Sequence, residues 1–486
     1  MAWAVAVAFL TVYAYGLIWL PYYGDHALWA VVGRELMEGR ALYSEVWDIK
    51  QPGVYLLYGP VQALFGYAPV VTRTLDVLIA VLTAVLVAVL VRDRVGPVIA
   101  RWTGVAATAA MLLPARAFDL GQIEQLVCLP MIAALVLITR RPSTARLLLA
   151  GLCIGVVGVL KLWTAAVPVA AVLAWLLVEA VAAGRRGEPV RSVLLTRVGL
   201  VAAGALAPVV AVLVWLAAAG SLGAALETWL VFPGQMLGLP GARSLDRLVE
   251  GSTRYVGLLA PALLLAAAAL PGVLRRRDPL GMALLAWLVV GLVGILIQLW
   301  WPYHWTQLTP ALVGLAALGL RQLRDAGWLG RPLVVAVLAL STAPLLYFGV
   351  LGAERPTMLG NGFTADSRAR LAELGTLPTA QRELAAIGYR PGESLMVFGD
   401  PTFQLAAGAR MPVRINGWSP ELYTTAQFAE MADTLAVARP DVVLVTALNV
   451  AVVPERGPAV ARLIANEYEQ VRSTPVGDWY RLRTDR

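Results

Sequence analysis

Between Gly24 and Gly59 the chain reads GDHALWAVVGRELMEGRALYSEVWDIKQPGVYLLYG. It gathers Asp25, Glu35, Glu38, Glu45 and Asp48 with His26, Arg34, Arg40 and Lys50, between two apolar runs. A carboxylate in such a place can take a proton from a hydroxyl. Partial loss of water raises its proton affinity, and a cation close by can hold a phosphate. Asp25 is the first candidate base, and Asp48, Lys50 and Tyr43 stand with it in Tyr-x₄-Asp-x-Lys-x-Pro. A bland reading stands beside this one: Asp25 as a loop acid paired with Arg34 or Lys50.

Other groups are more scattered. Asp119 and Arg116 fall in a short loop, and Glu124 opens an apolar segment. There a carboxylate is also favoured simply by the dipole of a helix N-terminus. Lys161 is one of only two lysines in the chain and sits at the turn of a hydrophobic hairpin. Its ammonium could hold a lipid phosphate or snorkel to the headgroups. His304 lies in WWPYHWTQLTP. An imidazole there could donate to a departing phosphate, while Trp300, Trp301, Tyr303 and Trp305 also fit an interfacial aromatic belt. Arg73 opens the second apolar run. No Walker motif, dinucleotide glycine pattern, zinc spacing or serine elbow is present, and no cofactor or metal is expected.

The elements that carry these groups are mostly apolar. Of 486 residues, 59% are hydrophobic and 14% charged, where soluble domains are about a quarter charged. Mean hydropathy is +0.72. Apolar runs recur near 1–20, 69–91, 102–115, 124–139, 147–160, 163–183, 198–219, 256–274, 280–299, 305–320 and 332–350, which predicts about eleven membrane helices. Met1–Leu20 lacks a basic leader region and reads as a retained span. The hairpin at Lys161 could also be re-entrant. Alternate loops carry 16 Arg against four acids, Asp93, Glu188, Asp278 and Asp325, which predicts that those loops face the cytoplasm. Residues 21–68, 116–123, 220–255 and 300–304 then lie outside, the third ending in an amphipathic segment after Arg243. The formal charge of +8 therefore belongs to membrane topology and makes nucleic acid a poor partner. Cys128 and Cys153 lie in apolar runs and read as packing residues.

After Val350 the composition changes. Residues 361–388 read as a polar helix, SLMVFGD as a buried strand and 420–438 as a helix. VVLVTA follows as a strand, 457–470 as a helix and WYRLR as a strand. Strands alternating with helices predict a small α/β domain at 351–486, extracytoplasmic, after a transmembrane domain at 1–350.

Together the early acid, the Asp-x-Lys-x-Pro loop, the Gly151, Gly155, Gly158, Lys161 pattern and the His304, Trp305, Gln307, Pro310 pattern carry a resemblance. The chain resembles the polytopic membrane glycosyltransferases of superfamily C (GT-C), in the protein-mannosyltransferase and aminoarabinose-transferase branch. That resemblance implies a helical membrane bundle and a polyprenyl-phosphate sugar donor. It further implies transfer with inversion to a glycan, lipid or protein hydroxyl at the outer face of a bacterial plasma membrane, mannosyl and arabinosyl transfer being two forms of it. It puts the base on Asp25 and a supporting acid on Glu124, Asp119 or Asp48. Phosphate contacts fall to Lys161, His304, Lys50, Arg73 or Arg116, and sugar or lipid contacts to Tyr303, Trp305, Gln307 and Tyr43. His26 departs from relatives that carry a second acid beside the first, which weakens a metal-dependent version. Rival readings are a polymerase or ligase of lipid-linked glycans, a transporter or flippase, and a scaffold. No repeat is visible and nearly every charged group sits near a span end, which counts against transport.

Overall fold

A computed structural model describes residues 1–22, 24–140, 143–185, 190–240, 242–347 and 377–483. The polar helix expected at 361–388 is seen as Leu377–Ala386; its earlier part lies outside the described residues.

Among the described residues, four helices are long and apolar enough to cross a membrane: Pro69–Val95, Leu162–Gly184, Val190–Ala218 and Pro279–Leu296. Leu245–Leu258 and Ala260–Arg276, bent by 77°, make a fifth if taken as one span. The chain is a multi-pass membrane protein, and its described residues are mostly helical with one small sheet. Several other runs counted among the eleven form shorter apolar helices, including Ala2–Leu17, Ile123–Thr139, Thr144–Leu160 and Pro332–Leu346.

The chain divides into two compact units. The first comprises Met1–Leu17, Thr74–Val212 and Arg243–Ala353; the second comprises Ile18–Arg73, Leu213–Ala242 and Glu354–Arg486. The units do not divide at residue 350: residues 18–73 and 213–242 group with the C-terminal region.

In the first unit, helices pack through small residues, as association without a hydrophobic drive requires. Gly151 of Thr144–Leu160 meets the Val201 carbonyl, and Gly204 meets the Leu148 carbonyl. At either position a Cβ would fall under 3.0 Å from the facing backbone. Ala260–Arg276 packs on Thr309–Asp325, and Pro279–Leu296 on Ala166–Gly184. Asp278 caps the start of Pro279–Leu296 by accepting from the Gly281 amide at 2.8 Å.

In the second unit, helices Asp25–Met37 and Gly53–Phe65 pack together beside a four-stranded sheet. Its strands are β1 (Leu395–Phe398), β2 (Val442–Thr446), β3 (Tyr468–Thr474) and β4 (Gly477–Leu482), in the order β1-β2-β4-β3. β1 and β2 are parallel, with Leu395 opposite Val442, and β4 is antiparallel to both β2 and β3. The apolar runs LMVF and VVLVT are buried along their whole length, as parallel strands covered on both faces must be. Leu395, Val397, Phe403, Val442, Leu444 and Trp479 form the core. β3 was not expected. Six of its seven residues are not buried, so this edge strand carries no hydrophobic alternation and reads as the end of the preceding helix, Pro458–Glu467. The helix expected at 420–438 begins at Thr425, where Thr424 and Gln427 form a reciprocal capping box.

Candidate active site

Asp25 is the first residue of Asp25–Met37, where its charge complements the helix dipole. It is buried, with 8% of its surface exposed. Its two carboxylate oxygens have different neighbours. Oδ2 lies 3.4 Å from the Lys50 ammonium, and Oδ1 accepts from the Trp418 indole N–H at 2.7 Å. The expected partnership with Lys50 is present. Arg34 turns elsewhere, donating to the Ala409 carbonyl.

Lys50 is presented by a folded loop. Tyr43, at φ 70, donates its hydroxyl to the Lys50 carbonyl at 2.6 Å and accepts from the Trp229 indole at 2.9 Å. Expected as a sugar contact, Tyr43 is fully buried and braces the lysine's backbone. Asp48 lies between them in sequence. It accepts from the Tyr55 hydroxyl at 2.5 Å and from the Ile49 amide at 2.6 Å. Burial pushes its carboxyl up to about 6, against the pull of Lys50 and Tyr55 and with a further push from Asp25. Asp48 is thus an acid poised near neutrality beside the candidate base.

The helix is tied at both ends to the C-terminal region. At its start the Gly24 amide approaches Asp400 Oδ2 at 3.5 Å, while Asp400 Oδ1 accepts from the amide and hydroxyl of Thr402 at 2.9 and 2.7 Å. Burial, working against those three donors, raises Asp400 to about 6. Further along, fully buried Glu35 accepts from the Met411 amide and from Arg40, both at 2.8 Å. Arg73, also fully buried, donates to the Pro21 carbonyl at 2.9 Å and so fixes the approach to Gly24.

The first unit gathers the remaining candidates in two places. Glu124, 2% exposed, pairs with the Lys161 ammonium, which also donates to Gln298 at 2.7 Å. His304 Nε2 lies 3.4 Å from the same Glu124 oxygen. Glu124, Lys161 and His304, read separately from sequence, therefore form one group. Nearby, a small open cavity is lined by Asp119, Arg254, Tyr303, Trp305, Gln125 and Thr306 among others. Asp119 is paired with Arg254 at 2.9 Å and Arg116 at 3.3 Å, and Arg116 also reaches Glu250 at 3.1 Å. Burial opposes ionisation of Asp119, but the two guanidiniums outweigh it and hold the carboxyl below the usual range. Tyr303 stacks on Trp301 with centroids 6.3 Å apart, and Trp305 leans on Tyr255 at 5.4 Å. Gln307 is buried, its backbone carbonyl accepting from the Trp287 indole at 2.8 Å.

Sequence reasoning missed Trp418, Asp400, Tyr55, Gln298 and Arg254 as members of these groups. Arg254 had a signal, its helical spacing with Glu250; the others had none. Among the described residues, no group of three or more His, Cys, Asp and Glu side chains is gathered as a metal ion would need.

No protein-family model matches the chain, and no curated protein matches it significantly. Solved structures do. ArnT from Cupriavidus metallidurans, bound to undecaprenyl phosphate, aligns over 99% of this chain and 98% of its own, with TM-score 0.62 and 15% identity. Its apo form aligns over 98% and 97%, with TM-score 0.61. AglB, the oligosaccharyltransferase of Archaeoglobus fulgidus, in complex with an inhibitory peptide and a dolichol-phosphate, aligns over 99% of this chain and 74% of its own (TM-score 0.54, 11% identity). The fold is that of the GT-C membrane glycosyltransferases. At these identities the likeness fixes the architecture and leaves the chemistry to the residues.

Proposed function

We propose that this protein is an integral-membrane glycosyltransferase that moves a sugar from a polyprenyl-phosphate donor to an acceptor hydroxyl, with inversion, at the extracytoplasmic face of a bacterial plasma membrane. The observation that carries the reading is the Asp25 carboxylate, buried at a helix start and held between Lys50 and Trp418, in a fold whose solved neighbours include one bound to undecaprenyl phosphate and one bound to a dolichol-phosphate.

In the proposed reaction Asp25 takes the acceptor's hydroxyl proton as its oxygen forms a bond to the anomeric carbon. The bond from that carbon to the phosphate oxygen breaks, and its electron pair leaves with polyprenyl phosphate. Lys50 stabilises the negative charge that grows on the phosphate. No step is assigned to a cofactor. Phosphate-binding roles for Lys161 and His304, with Glu124 holding both, form a separate proposal, tested by binding of polyprenyl phosphate to variants at those positions. Arg116 and Asp119, joined to Arg254, and the aromatic Tyr303 and Trp305 are proposed to contact lipid or glycan at their cavity.

The test is to incubate purified protein with a panel of radiolabelled polyprenyl-phospho-sugars, mannose and arabinose included, and membrane extract. Labelled product and free polyprenyl phosphate are expected from one donor. No transfer from any donor, with the protein folded, contradicts the reading. The AglB likeness favours one variant of it, transfer of a preassembled oligosaccharide; the mass added to the acceptor separates that ligase from a single-sugar transferase.

A further inference from the structure

We propose that Trp418 is a positioning residue for the Asp25 carboxylate, so that the C-terminal α/β region supplies part of the catalytic base's immediate surroundings. The inference rests on the reading of Asp25 as the base.

An indole N–H is a donor only. At 2.7 Å from Oδ1 it fixes one oxygen of the carboxylate, and Lys50 faces the other. With both oxygens held, the carboxylate plane has one orientation, as a base acting in a single displacement requires. The backbone that carries the indole is held from several sides. The Trp418 amide donates to Asn416 Oδ1 at 2.8 Å, and Asn416 Nδ2 donates to the Trp47 carbonyl at 2.8 Å. The Tyr423 hydroxyl reaches the Trp418 carbonyl at 2.8 Å. One residue earlier, the Gly417 carbonyl accepts from the Gly399 amide at 2.9 Å, beside a bridge to Phe398 at the end of β1. The loop is therefore an extension of the sheet edge, and the sheet's core fixes where the N–H points. Simple packing would need only a ring; a donor aimed at the proposed base needs the nitrogen.

The experiment uses the full-length protein with whichever radiolabelled polyprenyl-phospho-sugar supports turnover, and compares wild type, Trp418→Phe and Asp25→Asn. Phenylalanine keeps an aromatic ring and removes the donor. Loss of a charge-assisted hydrogen bond is expected to lower kcat roughly 10- to 100-fold, with the donor KM within about twofold. Removing a donor also disfavours the charged form of a carboxylate, so the acid limb of the kcat/KM profile moves to higher pH; Lys50, Asp48 and Tyr55 are unchanged across the comparison. Should Trp418→Phe fold poorly, 3-benzothienylalanine at position 418, which keeps the indole's shape and lacks its N–H, is expected to give the same loss and the same shift. Wild-type kcat and an unmoved profile in either replacement, with Asp25→Asn inactive, overturn the role of Trp418 alone. An active Asp25→Asn overturns it together with the reading on which it rests.

Discussion

Gly24 and Trp418 are fitted to each other. Gly24 has φ +51, and a Cβ built on it would fall under 3.0 Å from three carbons of the Trp418 indole. The backbone that delivers Asp25 can therefore approach the ring only without a side chain. At φ 51 and ψ −106 Gly24 occupies a backbone region that glycine adopts freely and other residues do not, so Gly24→Ala incurs backbone strain of about 1–3 kcal/mol and displaces the indole. Thermal melting and turnover together check this: a drop in stability is expected along with a loss of activity of roughly tenfold or more. Wild-type activity would show that the close approach has no functional weight.

Asp48 and Asp400 predict a pH dependence of stability. Both are raised by burial to about 6, from the ordinary carboxyl value of 3.8. Below pH 4 each is protonated in the folded and the unfolded chain. Between 4 and 6 the folded state holds more protons, so stability falls as pH rises through that window and levels off above it, by at most about 3 kcal/mol for each group. Denaturation of Asp400→Asn in detergent should show a flatter dependence than wild type over the same range. An unchanged slope would remove Asp400 from the account.

The Glu124–Lys161 pair predicts strong coupling. Removing the ammonium leaves a buried carboxylate with Gln298 no longer linked to it through Lys161. Lys161→Met should destabilise by about 3–5 kcal/mol, and Glu124→Gln added to it should recover much of the loss. Additive losses in the double variant would mean that the two side chains are energetically independent.

Helix contact in the first unit predicts intolerance of size. Gly204 faces the Leu148 carbonyl with no room for a Cβ. Gly204→Leu should separate Thr144–Leu160 from Val190–Ala218 and lower melting by several degrees or more, whereas Gly199→Leu, where nothing lies within 4 Å, should be mild. Equal effects at the two positions would contradict the packing described.

What could be read from sequence follows from contrast and from distance along the chain. Asp25, Asp48 and Lys50 stood out because they are charged groups in one loop of an apolar chain, and the structure brings them together. The α/β region was legible where burial writes an apolar run, in β1 and β2, and illegible at β3, whose edge position leaves its residues exposed. Asp400 lies in Gly-Asp-Pro, whose residue types locally signal only a turn; its reach to Gly24 spans 376 positions. Trp418, 393 positions from Asp25, lies in INGWSP, which carries no signal of such a contact. Glu124 left a dipole reading open, and its pairing with Lys161 and His304 shows a partner set that helix-end logic alone does not supply.

The most direct measurement is single-turnover sugar transfer by Asp25→Asn beside wild type, with binding of the polyprenyl-phosphate donor followed in the same samples. The account predicts donor binding within a few-fold of wild type and transfer reduced by at least 10²-fold, the scale of a missing general base. Transfer at the wild-type rate with the donor bound would contradict it.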